Sequence, residues 1–368
     1  MKKELEAPKR PHRKGRGGPT IRDVAKRAGV ATTTVSRVIN GAKYVRKDVR
    51  EAVLKTMKEL EYAPNTAARS LASTDGARIG LLYNNPSATY FSEFLFGALD
   101  ESGRHGFQLA MEKCESGNFA AARAAIHKLM KGGLAGMVLP APVCESAALI
   151  AELTQAGVSV VAVATGRFHG QTSSVHIDDF KAAYEMTNYL LARGHRQIGF
   201  VKGHPDHSSS HERERGFLEA LRVADCPIDR KLITQGYFSY RSGLDAAEQL
   251  LSLPQKPTAI FACNDDMAAG VMSVAHRVGL TVPRDLSIVG FDDTQMAAAV
   301  WPALTTVHQP VAVIARKALD LIMREIQSRR AGIHIKPQDH VVAHTFVARE
   351  SVAPPPPAAA GQARRTRK

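Results

Sequence analysis

Short apolar runs alternate with amphipathic segments from residue 78 to about residue 290. The apolar runs predict buried parallel strands at Ile79–Tyr83, Gly136–Leu139, Val158–Ala164, Gln197–Val201, Thr258–Ala262 and Leu286–Phe291. The segments between them predict helices at Phe91–His105, Phe119–Lys131, Glu145–Ala156, Phe180–Arg193, Glu212–Val223, Arg241–Leu251 and Asp266–Val278. Such alternation predicts a doubly wound α/β architecture. Because about 270 residues exceed one comfortable sheet, we expect two lobes with a cleft between them.

Positive charge is concentrated outside this α/β region. The 368 residues carry a net charge of +14, and residues 1–78 contribute +11 of it, from 19 Lys and Arg against 8 Asp and Glu. The last 18 residues contribute +4, so residues 79–350 carry −1. A nearly neutral body with a strongly basic end is typical of a polyanion-binding head joined to a regulatory or catalytic domain.

Three short helices are predicted in the basic N-terminal part. Thr20 and Asp23 have the spacing of a capping box, and Gly29 supplies a left-handed residue that ends the first helix. A second helix is predicted from about Thr32 to Ile39. A third begins near Lys47, with its expected apolar face formed by Val49, Val53, Leu54, Met57 and Leu60. Two short helices about a tight turn, braced by a third, predict a helix-turn-helix unit.

The second helix is expected to read DNA bases, because a recognition helix presents its N-terminal residues to the major groove. The candidate contacts there are Thr32, Thr33, Thr34, Ser36 and Arg37. Threonine hydroxyls and methyls can contact bases or phosphates, and Arg37 can donate two parallel hydrogen bonds to guanine. Thr20 and Asn40, at the two ends of the motif, complete the candidate set. The alternative for the threonines is an ordinary, solvent-exposed helix start.

The sequence resembles the LacI/GalR family of bacterial transcriptional regulators. The resemblance begins with the string TIRDVAKRAGVATTTVSRVIN at Thr20–Asn40, whose triple threonine is similar to the purine-repressor members. It continues through the motifs EYAPN (61–65), ARSLA (68–72), RGHRQIG (193–199), ACNDDM (262–267), GFDD (290–293) and LTTVHQP (304–310). One such motif alone is weak, but the set, in the family's order over about residues 20–350, is specific.

The resemblance implies an all-α helix-turn-helix head and a bilobal, periplasmic-binding-protein-like α/β effector domain. With the composition, it predicts a disordered basic arm (1–19), the helix-turn-helix domain (20–63), a hinge helix and linker (64–77), the effector-binding and dimerisation domain (78–350), and a disordered tail (351–368). The N-terminal lobe is expected at about 78–177 and 309–339, and the C-terminal lobe at about 178–308 and 340–350.

The function that the resemblance implies is transcriptional repression under allosteric control by a small molecule. We expect a homodimer on a nearly palindromic operator, in the cytoplasm at the nucleoid, with no membrane association. The tail lacks the leucine heptads of the family's tetramers, so dimers are predicted. In the family the hinge folds on DNA; here Leu71 matches the leucine that wedges into the minor groove, and Ala68 would face the second hinge of the dimer. A plain linker is the alternative.

Carrying over the family's effector contacts gives a pocket formed by Tyr90, Phe91, Arg213, Phe238, Asn264, Asp292 and Gln309. An arginine and an aspartate converging with an aromatic face suit a polyol, so a sugar or glycoside is expected. Purine-binding relatives have Arg where this chain has His207 and Asp where it has Ala164, which argues against a purine effector. The alternatives are helix capping for Asp292 and a surface ion pair with Glu212 for Arg213.

Several other functions are less favoured by the sequence. His204, His207 and His211 lie close together, but loop histidines without a cysteine are a weak zinc signal. An enzyme with a DNA-targeting head is disfavoured because the common nucleotide-binding, hydrolase and metalloprotease motifs are absent, and no cofactor is expected. A sugar-transport protein is disfavoured by the basic head, and a sequence-indifferent DNA binder remains an alternative.

Overall fold

The computed structural model describes residues 19–39, 45–60, 62, 76–83, 87–114 and 118–357. The chain forms two compact units, Met1–Gly76 and Ala77–Lys368. Three of the predicted DNA contacts, Asn40, Ala68 and Leu71, lie outside the described residues. Among the residues described, none of the helices combines the length and apolarity needed to cross a membrane.

The first unit contains helices α1 (Ile21–Ala28), α2 (Thr32–Ile39) and α3 (Lys47–Glu59). The predicted capping box is present at the start of α1, and Gly29 ends that helix with φ +66°. The three helices share a small core whose buried members are Val24, Ala25, Val35, Val38 and Val53. The predicted apolar face of α3 is wrong at Leu54, which is 50% exposed, because Thr56 takes the inward position and bonds back to the Ala52 carbonyl.

The first lobe of the second unit is built on a six-stranded parallel sheet of order β11-β5-β4-β3-β1-β2. Its strands are β1 (Arg78–Tyr83), β2 (Gln108–Lys113), β3 (Gly136–Pro140), β4 (Ser159–Val163), β5 (Ser173–His176) and β11 (Asp339–Val341). Its helices are α4 (Ala88–His105), α5 (Phe119–Lys131), α6 (Ala147–Gln155) and α12 (Val311–Arg330). Helix α12 packs on α4 and on the central strands of the sheet.

The second lobe is built on a four-stranded parallel sheet of order β7-β6-β8-β9. Its strands are β6 (Ile198–Val201), β7 (Ile233–Thr234), β8 (Ala259–Ala262) and β9 (Ser287–Val289), and β10 (Thr306–His308) and β12 (Thr345–Val347) form an antiparallel pair. Its helices are α7 (Asp179–Ala192), α8 (Ser208–Val223), α9 (Tyr240–Leu251), α10 (Asp265–Arg277) and α11 (Gln295–Ala299). The chain passes between the lobes three times: after β5, before α12 and after β11.

The structure differs from the sequence-based expectations at the edges of both sheets. The elements that were not predicted are the strands β2, β5, β7, β10, β11 and β12 and the helices α11 and α12. Strand β11 pairs with β5 in the first lobe, although residues 340–350 were expected in the second.

The expectation of disorder from residue 351 is wrong for the first residues of the tail. Ser351 is fully buried, and its hydroxyl donates to the Ile288 carbonyl at 2.5 Å. The Ala353 carbonyl accepts hydrogen bonds from His195 and from the Ser287 hydroxyl, at 2.9 and 3.0 Å. The segment therefore continues the edge of the second sheet beside β9, because these bonds satisfy backbone groups that would otherwise be unpaired.

Candidate functional site

The exposed face of α2 carries the predicted DNA contacts. Val35 and Val38 are buried in the core of the head, which turns Thr32, Thr33 and Arg37 outward into solvent. Thr34 and Ser36 lie at the sides of the helix and are half-buried. Residues at positions i, i+1 and i+5 of a helix lie on one side, so the three exposed side chains form one polar surface.

Thr20 serves the start of α1. Its hydroxyl and its backbone N–H both donate to the Asp23 carboxylate, at 2.7 and 2.8 Å. These hydrogen bonds hold the pKa of Asp23 below its ordinary value. The Thr20 hydroxyl therefore has a capping role, because its proton is donated to Asp23 and its oxygen accepts from the Asp23 N–H.

A pocket lies between the lobes of the second unit. All seven predicted effector contacts line it: Tyr90, Phe91, Arg213, Phe238, Asn264, Asp292 and Gln309. The space, including solvent at its mouth, is about 840 Å³. It is a concave site at the interface of two lobes, a place where small molecules commonly bind.

Arg213, on α8, is the centre of the polar wall of the pocket. Its Nε donates to Asp179 Oδ1 at 2.8 Å, and its Nη1 donates to the Cys263 carbonyl and lies 3.8 Å from Asp292 Oδ1. The guanidinium also lies 3.7 Å from the centre of the Phe291 ring, close enough for a cation–π interaction. The alternative of a surface pair with Glu212 is wrong, because Arg213 is buried and its carboxylate partner is Asp179.

Asp292 and Gln309 extend the same wall. The Gln309 amide donates to Asp292 Oδ1 at 2.6 Å, and both side chains are buried. Burial raises the pKa of Asp292 well above its ordinary value, although Arg213 opposes the shift. Burial also raises the pKa of Asp179 against the same opposing charge. Asp292 is not a helix cap, since the residue at the start of α11 is Thr294.

Asn264 has a structural role as well as a place at the pocket. Its side-chain oxygen accepts from the Met267 N–H at 2.9 Å and so caps α10, and its amide donates to the Phe238 carbonyl at 2.9 Å. Asn264 therefore fixes the backbone that carries Phe238 and has one amide hydrogen left for a ligand.

The first lobe supplies an uncharged wall. The described residues that it contributes to the lining are Leu81, Leu82, Tyr83, Tyr90, Phe91, Phe94, Pro140, Ala141, Val163, Ala164, Ile177 and Ile314. The rings of Tyr83 and Phe91 are in contact, with their centres 3.8 Å apart. Aromatic faces of this kind pack on the C–H surfaces of a ligand while the opposite wall binds its polar groups.

Left-handed backbone conformations are concentrated around the pocket. Among the described residues other than glycine, positive φ occurs at Ala164, Asp225, Phe238, Asp292 and Asp293, and three of these five line the pocket. Each such residue costs about 1–3 kcal/mol and persists where the surroundings enforce it. The backbone is thus held in an unfavourable shape where Phe238 and Asp292 face the cavity.

The three histidines do not converge on a metal-binding geometry. His207 lines the pocket, and burial lowers its pKa to about 3, so it is neutral near pH 7. The His211 ring donates to the Pro205 carbonyl at 2.7 Å. Within the described part of the chain, the one His, Cys, Asp and Glu group close enough to share an ion is Glu101, His105 and Asp320.

Asp179 is the main pocket residue that the sequence analysis did not identify. It follows Asp178, which caps α7, and the sequence gives no sign which of the two acids faces inward. Tyr83, Phe94 and Ser209 were also missed. The apolar strand and helix patterns that contain the two aromatic residues are equally typical of core positions.

Gly203 allows Phe238 to lie in the pocket wall. A Cβ at Gly203 would come within 2.1 Å of the tip of the Phe238 ring. We expect Gly203→Ala to move the ring and to lower the free energy of unfolding by about 1–3 kcal/mol, as overpacking does. Urea denaturation measures this. Gly103→Ala, where a Cβ meets no atom within 4 Å, is the control and should not destabilise. Equal stability of the two variants would contradict the packing of Phe238 on Gly203.

Comparison with known proteins follows the division of the chain. Residues 20–65 match the model of bacterial regulatory proteins of the lacI family, and residues 187–352 match the periplasmic binding protein-like domain. The HTH-type transcriptional repressor PurR of Pectobacterium carotovorum is 35% identical over 340 residues, which are 92% of this chain and 98% of that protein.

Two solved structures are similar over the same length. The transcriptional regulator CelR in complex with cellobiose is 30% identical, with a TM-score of 0.67 over 90% of this chain and 99% of that one. The lac repressor dimer bound to operator and the anti-inducer ONPF is 27% identical, with a TM-score of 0.71 over 92% and 100%. The chain belongs to the lacI family of bacterial regulatory proteins and is a DNA-binding transcriptional regulator with an effector-binding, periplasmic-binding-protein-like domain.

Proposed function

We propose that the effector is a sugar or glycoside that binds in the pocket between the lobes. The observation that carries this proposal is the contrast between the two walls. Arg213, Asp292 and Gln309 present charged and amide groups from one side, and Tyr90 and Phe91 present aromatic faces from the other. Sugars combine both surfaces in one molecule, since their hydroxyls bind charged groups while their C–H faces pack on rings.

Two pocket residues weigh against a purine effector. The family resemblance implies an arginine at position 207 and an aspartate at position 164 in the members that bind purines. Here His207 is neutral and buried, and Ala164 has no polar side chain. A neutral, hydroxyl-rich ligand needs neither group. The similarity of CelR, which was solved with cellobiose, supports the same choice.

At the other end of the protein, we propose that two heads bind the half-sites of a palindromic operator. Thr32, Thr33 and Arg37 form the outward surface of α2 that such a contact needs. Phe96 and Leu99 lie one turn apart on α4 and are 65% and 51% exposed, an apolar face suited to pairing with a second copy. We place this regulator at the nucleoid, binding its effector without converting it.

The proposal is tested with an operator selected from a random DNA pool. Operator affinity is measured by fluorescence anisotropy with and without each of several probes, including cellobiose and ribose. A sugar effector should change affinity by about 5–150-fold. Asp292→Asn should abolish this response while keeping operator binding, and the sugar should be recovered chemically unchanged. If adenine or guanine shifts affinity and no sugar does, the sugar proposal is wrong.

A further inference from the structure

A set of polar contacts bridges the two lobes at the mouth of the pocket. In the first lobe they come from Glu145, in the turn after β3, and from the loop 165–167, after β4. In the second lobe they come from Ser208 and Glu212, in the first turns of α8. We call Glu145, Gly166, Arg167, Ser208 and Glu212 the latch.

Ser208 is the centre of the latch. Its hydroxyl accepts a hydrogen bond from the Gly166 backbone N–H at 2.6 Å and donates to the Glu145 carboxylate. One side chain of the second lobe therefore binds two separate segments of the first. Because the acceptor is a carboxylate, the bond from Ser208 to Glu145 belongs to the stronger, charge-assisted class.

An ion pair between the lobes also belongs to the latch. Arg167 Nε donates to Glu212 Oε1 at 2.7 Å, and the other Glu212 oxygen accepts from Arg215. The Glu212 side chain is only 6% exposed, so its charge depends on these two arginines. Opening the lobes would separate Arg167 from a nearly buried carboxylate, which is unfavourable.

The backbones also approach closely at this point. A Cβ at Gly166 would lie 2.6 Å from the Ser208 carbonyl carbon and 2.7 Å from the Ser209 nitrogen. Both are main-chain atoms that cannot turn aside as a side chain can. Only glycine therefore lets the 165–167 loop contact the start of α8 in this closed arrangement.

The latch lies beside the pocket but is separate from its lining. Ala164, two residues before Gly166, lines the pocket, as do His207 and Ser209 on either side of Ser208. Ile177 and Gln309, at two of the chain crossings, also line it. The pocket is thus bounded by covalent crossings at some points and by the latch at another, and only the latch can open without breaking the chain.

We propose that the latch holds the two lobes closed over the pocket and that exchange of the effector requires it to open. The latch makes its contacts between lobes of one protein chain, so it adds closing energy before any ligand is bound. The chemical class of the effector does not enter this inference, which holds or fails independently of the sugar proposal.

The test measures the distance between the lobes directly. Cysteines replace Ala151, on the helix after Glu145, and Arg222, on the helix that begins with Ser208; both positions are exposed. The four native cysteines are buried, so spin labels attach to the two new ones. Pulsed electron paramagnetic resonance on the full-length protein without ligand then gives the distribution of closed and open lobes.

Ser208→Ala should lower the ratio of closed to open lobes about tenfold or more, since it removes a hydrogen bond to a charged group. Gly166→Ala should produce a longer distance still, because it prevents the backbone approach. Gly103→Ala is the matched control and should leave the distribution unchanged. Circular dichroism confirms folding, and Ser208→Ala decides alone if Gly166→Ala does not fold. A distribution for Ser208→Ala equal to that of the unmutated chain would overturn the proposal.

Discussion

Replacing Arg213 with leucine is expected to lower the free energy of unfolding by about 3–5 kcal/mol, because it leaves two buried carboxylates without their cation. Asp179 and Asp292 both lie within 4 Å of the guanidinium, and all three side chains are at most 6% exposed. Urea denaturation followed by circular dichroism measures the change. The same variant should lose the effector response, since the centre of the polar wall is gone.

The loss of stability in the Arg213→Leu variant should grow as the pH rises. Burial already raises the pKa of Asp179 and Asp292, and removing Arg213 removes a charge that opposes this shift. The folded variant then binds more protons than the unfolded chain, so its stability falls as pH rises above about 4, the ordinary pKa of an aspartate. The deficit relative to the parent should therefore be larger at pH 8 than at pH 5.

Arg222→Leu is the matched control for this experiment. Arg222 forms an ion pair with Glu219 on the same helix, at 2.6 Å, but its side chain is 69% exposed. An exposed pair contributes about 0–1 kcal/mol, so the control should be nearly neutral. Comparable losses for both variants would contradict the buried ion-pair network around Arg213.

Replacing Arg37 with alanine is expected to weaken binding to the selected operator by about 30-fold or more. A bidentate arginine–guanine contact is worth about 1–3 kcal/mol, and a dimer on a palindrome loses it twice. Arg37 is exposed on α2 beside Thr33, and the core of the head does not depend on it. Fluorescence anisotropy measures the affinity for the operator and for scrambled DNA at one salt concentration. Loss of base recognition weakens binding to the operator alone, whereas loss of a positive charge weakens binding to both DNAs.

Lys55→Ala removes the same charge from an exposed position on α3. Any effect of this control should be small and equal for operator and scrambled DNA, because a phosphate contact carries no sequence information. If Arg37→Ala weakens both DNAs equally, the base-reading role of Arg37 is wrong and a phosphate contact replaces it.

The sequence predicted those elements whose pattern is local. The capping box at Thr20 and Asp23 and the six apolar strands are each encoded within a few residues. Strand β2 was not predicted because it lies at the edge of its sheet and lacks an apolar run. Strand β5 was not predicted because it contains the polar residues Ser173, Ser174 and His176. Strand β11 was not predicted because its partner, β5, is more than 160 residues away in the chain.

The pocket shows the same limit for side chains. Its seven predicted residues came from family motifs that preserve spacing, and they converge on one cavity. The family motifs did not identify the residues that form hydrogen bonds with Arg213. Its partners Asp179 and Cys263 are 34 and 50 residues away, and nothing near Arg213 in the sequence selects them over its neighbour Glu212. Which distant residues form hydrogen bonds or ion pairs depends on which side chains are buried together, and a single sequence does not show this directly.

The hydrogen bonds of Ser351 and Ala353 set a limit on how the protein can be shortened or tagged. A truncation after Glu350 would remove the acceptor for His195 and the donor to Ile288, leaving buried polar groups at the edge of the second lobe without partners. An affinity tag fused directly to residue 350 would do the same damage. Shortened forms for crystallisation should keep the chain at least to Pro357, and fusions belong beyond it.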